Sequence, residues 1–570
     1  MGVILGLNCY KHDAAASLLV DGRLMAAVEE ERFRRQKHYG DYPERAVEYA
    51  LESCGLDPAD VDHVAYYMRP RLVVAANLAH SRRYLFSKGG LLFLLGQLNA
   101  ARKMAAIPRR MGEHLGEGIL SADFHFVDHH RAHAEAGFYC SGYDSAAVLS
   151  MDGVGERDTS LLASMDREGF REVVRSRFPH SPGIYYSTLT KHLGFRPDND
   201  EYKVMGLSSY GQPEFADLFR RMIHHDGRGG IKVDTGLVDL ARGVQHAFFD
   251  SSVTDVIGPP RAQDQPIEDR HQNVASSGQL ALEELALEIA RFLKERTRQR
   301  NLVVTGGVGL NCVMNGMLER EAGYDEVYPL PASHDSGTSL GAAVYVHRKV
   351  FPEVPLVTPS HMYLGPEYTE GRISKLLETA KIPCSRPEDL AETMARLLDE
   401  GRIVALFQGR MEFGPRALGN RSILADPRRA EMKDVLNSLV KHREEFRPFA
   451  PSCLRERAAE YFEGCQSSPY MIKTYPVRPG KRKVIPAVTH VDGTARVQTV
   501  SRDSNPFYHE LIERFASRSE VPVVLNTSFN VRREPIVNTP SEAVRCFFAT
   551  GIDALAMPPF LVEKAGISGT

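Results

Sequence analysis

The stretch VILGLNCYKHDAAASLLVDGRLMAAVEEE, residues 3–31, contains three apolar runs separated by two short polar turns. Such runs predict β-strands, and the pair Asp21-Gly22 between the second and third is typical of a tight hairpin. The stretch SAAVLSMDGVGERDTSLLASMDREG, residues 145–169, repeats the arrangement about 140 residues later. Two copies of one strand–loop–strand opening indicate an internal duplication.

Helical patterns follow the second copy. Residues 278–300 carry apolar and charged residues at helical spacing and lead into the apolar strand and glycine-rich turn of NLVVTGGVGLN, residues 301–311. This mixture of strands and helices predicts an α/β fold class. The stretch FPEVPLVTPSHMYLGPEYTEG, residues 351–371, is rich in proline and lacks periodicity, and we place a linker at residues 356–375. We therefore expect two domains, residues 1–355 and 376–570, in keeping with a chain of 570 residues.

Composition excludes several classes of protein. The formal net charge of −3 does not indicate a nucleic-acid or membrane partner. The 8 cysteines include no C-x-x-C pair, so we expect a reducing, cytoplasmic location. The N-terminus has no pattern of a signal peptide, and the longest apolar stretch, residues 89–101, is shorter than the ~20 residues that span a bilayer. An oligomer is compatible with the sequence.

Four residues of the first half are candidate metal ligands: His129, His133, Asp152 and Asp335. Two histidines four residues apart share one face of a helix, while Asp152 follows a strand and Asp335 begins a helix. Imidazole with carboxylate ligation suits Zn, Fe or Mn rather than a structural zinc, which usually takes thiolates. Core histidines, a turn and a helix cap would explain each residue singly. Together the four favour a metal centre.

Two further loops of the first half carry candidate functional groups. Gly306, Gly307 and Gly309 follow a buried strand, so the backbone there can approach an anion such as a nucleotide phosphate, although a tight turn without ligand is the alternative. His12 lies in the loop between the first two strands, where it suits a general base for a hydroxyl group; a loop histidine bonded to backbone is the alternative.

The second half is dense in arginine. Arginine is well suited to bidentate phosphate contacts, and LNTSFN, residues 525–530, adds hydroxyl and amide groups after a buried strand. Surface ion pairing is the alternative. The candidate cations are Arg410, Arg416, Arg421, Lys441, Arg443, Arg447 and Arg496. Residues 69–110 are basic around an apolar middle and predict an inserted helical lobe with a solvated face, or a wall of an acceptor pocket.

Motifs along almost the whole chain resemble the O-carbamoyltransferase family of natural-product biosynthesis, which includes nodulation-factor, cephamycin and tobramycin carbamoyltransferases. They occur in the family's order: LGLN, HDAAASLLVDG, EEERF, DHHRAHA, DEYKVMGLSSYG, TGGVGLNC, GRMEFGPRALGNRSIL, FRPFAPS, HVDGTARVQTV and LNTSFN. The resemblance implies an actin- and sugar-kinase-like first domain and a YrdC-like α/β second domain.

The resemblance also implies a two-step reaction. Carbamoyl phosphate and ATP, with Mg, give carbamoyl-adenylate in the second domain, and the first domain transfers the carbamoyl group to a hydroxyl group of a small acceptor. Family acceptors range from sugars to macrolactones and β-lactams. A transition metal is implied, with Fe as our first assignment and Zn or Mn as alternatives.

Roles of individual residues follow from the same resemblance. His129, His133, Asp152 and Asp335 match the metal ligands, His12 the catalytic base and Lys37 a catalytic cleft residue. Positions for carbamoyl phosphate and ATP are matched by Arg416, Lys441, Arg447, Arg496, Asn526 and Ser528. We assign Gly306, Gly307, Gly309, Asn311 and Asp335 to a nucleotide in the first domain, and Asp200 and Lys203 to a possible acceptor cleft.

Two other functions use the same features. A threonylcarbamoyl-type enzyme that modifies tRNA would have the same two folds, but it should carry a basic face, which the net charge does not favour. A non-catalytic, nucleotide-dependent binding module of actin fold would leave His12 and the arginine cluster without a purpose.

Overall fold

A computed structural model of the chain describes residues 2–81, 88–239, 247–441, 444 and 446–564. The chain divides into two compact units. The first contains Met1–Glu30 and His38–Pro359, and the second contains Glu31–Lys37 and Ser360–Thr570. A helix that begins at Glu370 starts within the range 356–375 predicted as a linker.

The first unit contains two five-stranded sheets with the same strand order. The strands of this unit are β1 (Val3–Asn8), β2 (Ala15–Val20), β3 (Arg23–Glu29), β4 (His63–Tyr66), β5 (Asp123–Phe126), β6 (Ser145–Met151), β7 (Asp158–Asp166), β8 (Phe170–Arg177), β9 (Ile223–His225), β10 (Ile231–Val233), β11 (Val238–Asp239), β12 (Phe248–Phe249), β13 (Asn301–Thr305) and β14 (Glu326–Pro329). The five-stranded sheets run β3-β2-β1-β4-β5 and β8-β7-β6-β13-β14, while β9 pairs with β10 and β11 with β12 in two separate two-stranded sheets.

Strand directions also agree between the two sheets. In each sheet, the strand that comes first along the chain is antiparallel to the second strand and parallel to the fourth. The second and third strands pair antiparallel, and the fourth and fifth strands pair parallel. The two-residue turn Asp21-Gly22, with φ of 46° and 75°, closes the first hairpin as its sequence predicted. The predicted internal duplication and the α/β fold class are therefore confirmed.

The helices of the first unit cover and connect these sheets. They are α2 (Glu44–Glu52), α3 (Pro70–Ser81), α4 (Lys88–Ala105), α5 (Ile107–Leu115), α6 (His129–Ser141), α7 (Pro182–His192), α8 (Glu201–Leu207), α9 (Ala216–Met222), α10 (Ser251–Ile257), α11 (Asp269–Thr297), α12 (Cys312–Glu321) and α13 (Ser336–Val350). The range predicted as a helical lobe contains α3, α4 and part of α5, and its residues 82–87 lie outside the described ones.

Helices α6 and α13 pack on each other, α6 against β6 and β13 and α13 against β1 and β2. Their backbones approach closely, since a Cβ at Gly341 would stand 1.7 Å from the carbonyl oxygen of Ala132. A Cβ at Gly6 would likewise meet the Ser339 carbonyl at 1.9 Å. Glycine at these two positions lets the starts of both helices converge near the ends of β1 and β6.

The second unit is built on a seven-stranded sheet of order β20-β17-β21-β16-β15-β22-β23. The strands of the second unit are β15 (Val404–Phe407), β16 (Arg421–Ala425), β17 (Ala450–Leu454), β18 (Thr474–Pro476), β19 (Thr494–Arg496), β20 (Gln498–Val500), β21 (Val523–Ser528), β22 (Ala554–Met557) and β23 (Phe560–Glu563), and β18 pairs with β19 in a separate two-stranded sheet. Its helices are α1 (Glu31–Arg34), α14 (Glu370–Thr379), α15 (Leu390–Asp399), α16 (Met432–Leu436), α17 (Pro506–Ser519) and α18 (Pro540–Phe548). A π-helical turn covers Asn437–Lys441.

Alternating side chains of this sheet pack into two cores. Val404 and Leu406 of β15 join α15 and α17, while Ala405 and Phe407 join the core on the other face. Across the residues that the structure describes, we find no helix with the length and apolarity needed to cross a bilayer.

Candidate functional site

The four predicted metal ligands come together in the first unit. His129 and His133 lie on the first turns of α6, Asp152 directly follows β6, and Asp335 is the residue before α13. Their ligand atoms all lie within 4.8 Å of one another, and all four side chains are buried or nearly so. The close packing of α6 and α13 thus brings residues more than 200 positions apart to one point.

One imidazole nitrogen of this cluster lies within hydrogen-bond distance of a carboxylate oxygen, and the other nitrogen–oxygen distances are longer. His129 Nε2 lies 2.8 Å from Asp152 Oδ2 and 3.8 Å from Asp335 Oδ1. His133 Nε2 lies 3.8 Å from Asp152 Oδ2 and 3.6 Å from Asp335 Oδ1, beyond hydrogen-bond length. Nitrogen and oxygen donors at these separations surround a space of the size that a metal ion fills when its ligands lie about 2 Å away.

Unsatisfied atoms support the same interpretation. Among the described residues, His133 Nε2 and Asp335 Oδ1 are buried and have no hydrogen-bond partner. A buried polar atom without a partner costs free energy, so such atoms call for a ligand. Burial lowers the pKa of His133, which favours the neutral imidazole that binds metals. The donor set therefore fits a transition metal.

Neighbouring groups orient the ligands. The Thr305 hydroxyl lies 3.4 Å from His133 Nδ1, and the Gly307 amide donates to Asp152 Oδ1 at 3.0 Å. At the start of α6, Asp128 accepts a hydrogen bond from the Arg131 amide, and Arg175 Nη1 donates to Asp128 at 3.0 Å. These contacts hold the helix that carries both imidazoles.

Replacing His133 with alanine is expected to remove most of the bound metal, because one of four ligands is lost. The measurement is elemental analysis of chain purified without chelator. His130→Gln is the matched control: His130 is equally buried, but its ring nitrogens lie 2.9 Å from Ser150 Oγ and 2.9 Å from the Asp158 carbonyl. Equal metal content in His133→Ala and wild type would contradict the assignment.

His12 lies beside this cluster. Its Nε2 is 3.8 Å from Asp335 Oδ2, and its Nδ1 is 2.8 Å from Asp13 Oδ2. The other Asp13 oxygen lies 2.7 Å from His38 Nδ1, an arrangement that the sequence prediction missed. Asp13, with a φ of 55°, is fixed by the Asn8 amide, which donates to its carbonyl at 2.8 Å. Asp13 thus orients His12 with Nε2 towards Asp335.

Neighbouring charges set the protonation of His12. Burial lowers its pKa, but the carboxylates of Asp335 and Asp13 outweigh that effect and raise the pKa to about 10. A cation held by Asp335 would offset this carboxylate and return the pKa of His12 towards neutrality, where imidazole acts as a general base.

Lys11 is a cation of this site that the sequence prediction also missed. Its Nζ donates to the carbonyls of Val154 and Gly155 at 2.8 and 2.9 Å. Burial lowers the pKa of Lys11, against the charges of Asp335 and Asp152. In the sequence, the position of Lys11 directly before His12 in the same loop could have indicated that it belongs to this site.

The glycine-rich turn lies at the same site. Gly306 has a φ of 84°, and a Cβ there would stand 2.2 Å from the Met151 carbonyl, so the turn closes on the end of β6. Asn311 caps α12 by accepting from the Met314 amide, and its own amide donates to Gln279 Oε1 at 2.9 Å. Asn311 therefore has a structural role, and nucleotide binding by Gly306, Gly307, Gly309, Asn311 and Asp335 stays a prediction.

The structure also describes three other predicted residues. Asp200 and Lys203 form an ion pair of 3.1 Å, with the Lys203 ammonium 5.5 Å from the Phe195 ring centre. Lys37 is half-buried and belongs to the segment Glu31–Lys37 of the second unit. An acceptor cleft at Asp200 and Lys203 and a catalytic role for Lys37 stay predictions.

In the second unit, Lys441 and Ser528 meet. Lys441 Nζ donates to the Ser528 carbonyl at 2.5 Å and to Asn530 Oδ1 at 2.8 Å, and it lies 3.4 Å from Ser528 Oγ. The Ser528 hydroxyl also donates to Asn530 Oδ1 at 2.7 Å. A cation and a hydroxyl group at the end of β21 are groups that can bind a phosphate.

Asn526 is buried in a network beside them. Its amide donates to Ser452 Oγ at 3.0 Å, to Gln498 Oε1 at 2.9 Å and to the Ala417 carbonyl at 3.2 Å. The last contact holds the loop that carries Arg416. Asn526 therefore supports that loop from the sheet.

Arg421 was wrongly placed among the phosphate-binding candidates. Its side chain is fully buried, its Nη1 donates to the carbonyls of Gln408 and Asn420, and its Nη2 donates to those of Gly409 and Pro366. The guanidinium also lies 3.8 Å from the centre of the Phe407 ring. These contacts use both terminal nitrogens, so Arg421 is a structural residue.

The remaining cations of the cluster have different surroundings. Arg410 donates to the Leu364 carbonyl at 2.6 Å, Arg447 lies 3.6 Å from Glu444, and Arg496 ends β19. Arg443 lies outside the described residues. Arg416 is half-buried in the loop between β15 and β16. Binding of carbamoyl phosphate and ATP by these residues stays a prediction.

Comparison with known proteins gives consistent matches along the chain. The family described as carbamoyltransferase N-terminus matches residues 3–344, and that described as carbamoyltransferase C-terminus matches residues 395–564. Nodulation protein NolNO of Sinorhizobium fredii (strain NBRC 101917 / NGR234) is 37% identical over 98% of this chain and 80% of its own length. Nodulation protein U of Rhizobium tropici is 30% identical over 91% of this chain and 89% of its own length.

Among solved structures, component A of (R)-2-hydroxyglutaryl-CoA dehydratase from Acidaminococcus fermentans covers 61% of this chain and 99% of its own, with 14% identity and a TM-score of 0.32. The sequence families span both units, and the relatives extend over nearly the full length of the chain. The chain belongs to the carbamoyltransferase family, and it is a carbamoyltransferase enzyme.

Proposed function

We propose that this carbamoyltransferase is an ATP-dependent O-carbamoyltransferase that works through carbamoyl-adenylate. The second unit makes the intermediate from carbamoyl phosphate and ATP, and the first unit transfers the carbamoyl group to a hydroxyl group of a small natural product. The observation that carries the proposal is the convergence of four ligand side chains with His12 in the first unit.

Transfer requires a base for the acceptor and a stabilised leaving group. The acceptor oxygen attacks the carbamoyl carbon, the bond from that carbon to the AMP oxygen breaks, and the hydroxyl proton passes to His12 Nε2. Asp13 holds Nδ1 of the same ring at 2.8 Å and so keeps Nε2 available for the proton. AMP is the leaving group.

Charge at the site supports the departure of AMP. His129, His133, Asp152 and Asp335 would hold a transition metal, which when bound would supply a positive charge beside the AMP phosphate. Lys11, whose Nζ binds the backbone of Val154 and Gly155, adds a second positive charge at the same edge of the sheet. The glycine turn lies at the same place, where its Gly307 amide donates to Asp152.

Formation of the intermediate is assigned to the second unit. Water cleaves carbamoyl phosphate to carbamate and phosphate, and a carbamate oxygen then displaces pyrophosphate from the α-phosphorus of ATP. Arg416, Lys441, Arg447 and Arg496 are the proposed phosphate-binding cations. Their charge neutralises the phosphate oxygens during these steps.

The test is the mass of the product. Purified chain is incubated with carbamoyl phosphate, ATP and Mg²⁺ and with hydroxyl compounds from three classes: sugars, macrolactones and β-lactams. We expect one class to gain the mass of a single carbamoyl group while AMP, pyrophosphate and phosphate accumulate. Carbamoylation that proceeds equally without ATP would contradict the adenylate route.

A further inference from the structure

The segment Glu31–Lys37 belongs to the second unit, although it follows β3 of the first unit after a single residue. Its short helix α1 carries Arg32, whose side chain is only 3% exposed. Burial of a guanidinium is costly unless its hydrogen bonds are satisfied. The partners of Arg32 therefore indicate why a buried arginine stands there.

Arg32 reaches the loop that carries Arg416. Its Nη2 donates to the Gly414 carbonyl at 2.9 Å, and its Nη1 lies 2.8 Å from Glu31 Oε1. Gly414 has a φ of 115°, Pro415 follows it, and Arg416 comes next. Arg32 thus binds the backbone two residues before the proposed phosphate-binding arginine.

Other contacts hold the same loop at its two ends. On the near side, the Phe413 amide donates to the Met362 carbonyl at 2.8 Å. On the far side, one oxygen of buried Glu412 accepts from the amides of Leu418, Asn420 and Arg421 at 2.8 to 3.1 Å. Arg32 adds an anchor between these points, at the part of the loop from which Arg416 projects.

We propose that Arg32 is a positioning residue for carbamoyl-adenylate formation: it holds the Gly414 carbonyl and so fixes the loop conformation that presents Arg416. This inference rests on the proposed function, in which Arg416 binds carbamoyl phosphate or ATP. A residue near the start of the chain thereby takes part in the chemistry of the second unit. Small displacements of a phosphate-binding group are sufficient to reduce a rate about a hundredfold.

The experiment compares three single variants of the full chain. Arg32→Met keeps the apolar stem but loses the donor, Arg32→Lys keeps one cationic donor, and Arg34→Met removes an exposed arginine of the same segment. Exchange of labelled pyrophosphate into ATP, dependent on carbamoyl phosphate, is expected to fall at least about tenfold in Arg32→Met and less in Arg32→Lys. Arg34→Met should stay within about twofold of wild type.

A double-mutant cycle separates positioning from general stability. Arg416→Lys keeps the charge but loses the planar fork, so it gives a weakened but measurable background. If Arg32 acts through Arg416, adding Arg32→Met to this background costs much less than it does in wild type. Losses that multiply would overturn the proposal. If Arg32→Met fails to fold, Arg32→Lys takes its place in the cycle.

Hydrogen exchange measured by mass spectrometry tests the loop independently of activity. Peptides that contain residues 413–418 should exchange faster in Arg32→Met than in wild type, and at the wild-type rate in Arg34→Met. If wild type shows no pyrophosphate exchange dependent on carbamoyl phosphate, the proposed function fails, while the loop measurement still tests the positioning role. Unchanged protection of these peptides in Arg32→Met would overturn that role.

Discussion

Replacement of Arg416 with alanine is expected to lower the carbamoyl-phosphate-dependent exchange of pyrophosphate into ATP by at least about 10²–10³-fold. A guanidinium that binds phosphate bidentately contributes charge and two aligned donors, and alanine supplies neither. The loop around Arg416 is held by Glu412, Asn526 and Arg421, so the rest of the second unit should keep its fold. The measurement is isotope exchange at saturating ATP, with the unfolding midpoint in urea as a check on folding.

His12→Ala is the matched control for this prediction. His12 lies in the first unit beside Asp335, so its loss should leave pyrophosphate exchange close to the wild-type rate while carbamoylated product is lost. A fall in exchange for His12→Ala similar to that for Arg416→Ala would contradict the assignment of the two steps to separate units.

Carbamoyl-adenylate supplied from outside is expected to restore product formation by the Arg416→Ala variant. The restoration follows because the ligand cluster, Lys11 and His12 form the proposed transfer site within the first unit alone. A chelator should abolish this restored product formation, since the AMP phosphate then loses its electrostatic partner. The measurement is carbamoylated acceptor, of the class found in the product-mass experiment, with and without chelator.

Two controls make this rescue decisive. His133→Ala combined with Arg416→Ala should behave like the chelated sample, and His130→Gln combined with Arg416→Ala should behave like the untreated one. No product in the chelator-free sample would mean that transfer needs the second unit directly. The proposal of two separate steps would then be abandoned.

Much of the first unit's architecture was predictable from local patterns. Apolar runs of strand length, the Asp21-Gly22 turn and the second copy at residues 145–169 indicated the duplicated α/β fold, and both sheets have one strand order. The placement of Glu31–Lys37 was not predictable. A short charged segment has no apolar pattern that specifies the core it joins, so only long-range contacts decide it.

The candidate metal site was likewise predictable only in part. The i and i+4 spacing of His129 and His133 follows from the geometry of one helix, and the sequence therefore indicated that pair. Their approach to Asp152 and Asp335 depends on the close packing of α6 and α13 at Gly341. Lys11 and the pair of Asp13 with His38 were missed because their partners lie in other loops.

Arginines that the sequence grouped together have different surroundings in the second unit. We grouped Arg421 and Arg416 in one cluster of cations because the grouping rested on residue type and on spacing along the chain. The fold buries Arg421 against four carbonyl groups and leaves Arg416 half-buried in its loop. Burial and hydrogen-bond partners, which are properties of the folded chain, distinguish a structural arginine from a candidate ligand-binding one.

The α/β class, the duplication, the family and the residue types available for chemistry were predictable from the amino-acid sequence, because these follow from local periodicity and from motifs along the chain. Which of those residues share a site depends on the folded chain. Ligand clusters such as His129 with Asp335, and anchors such as Arg32 on Gly414, join positions that are far apart in the chain. Packing of helices and loops, rather than sequence spacing, sets those distances.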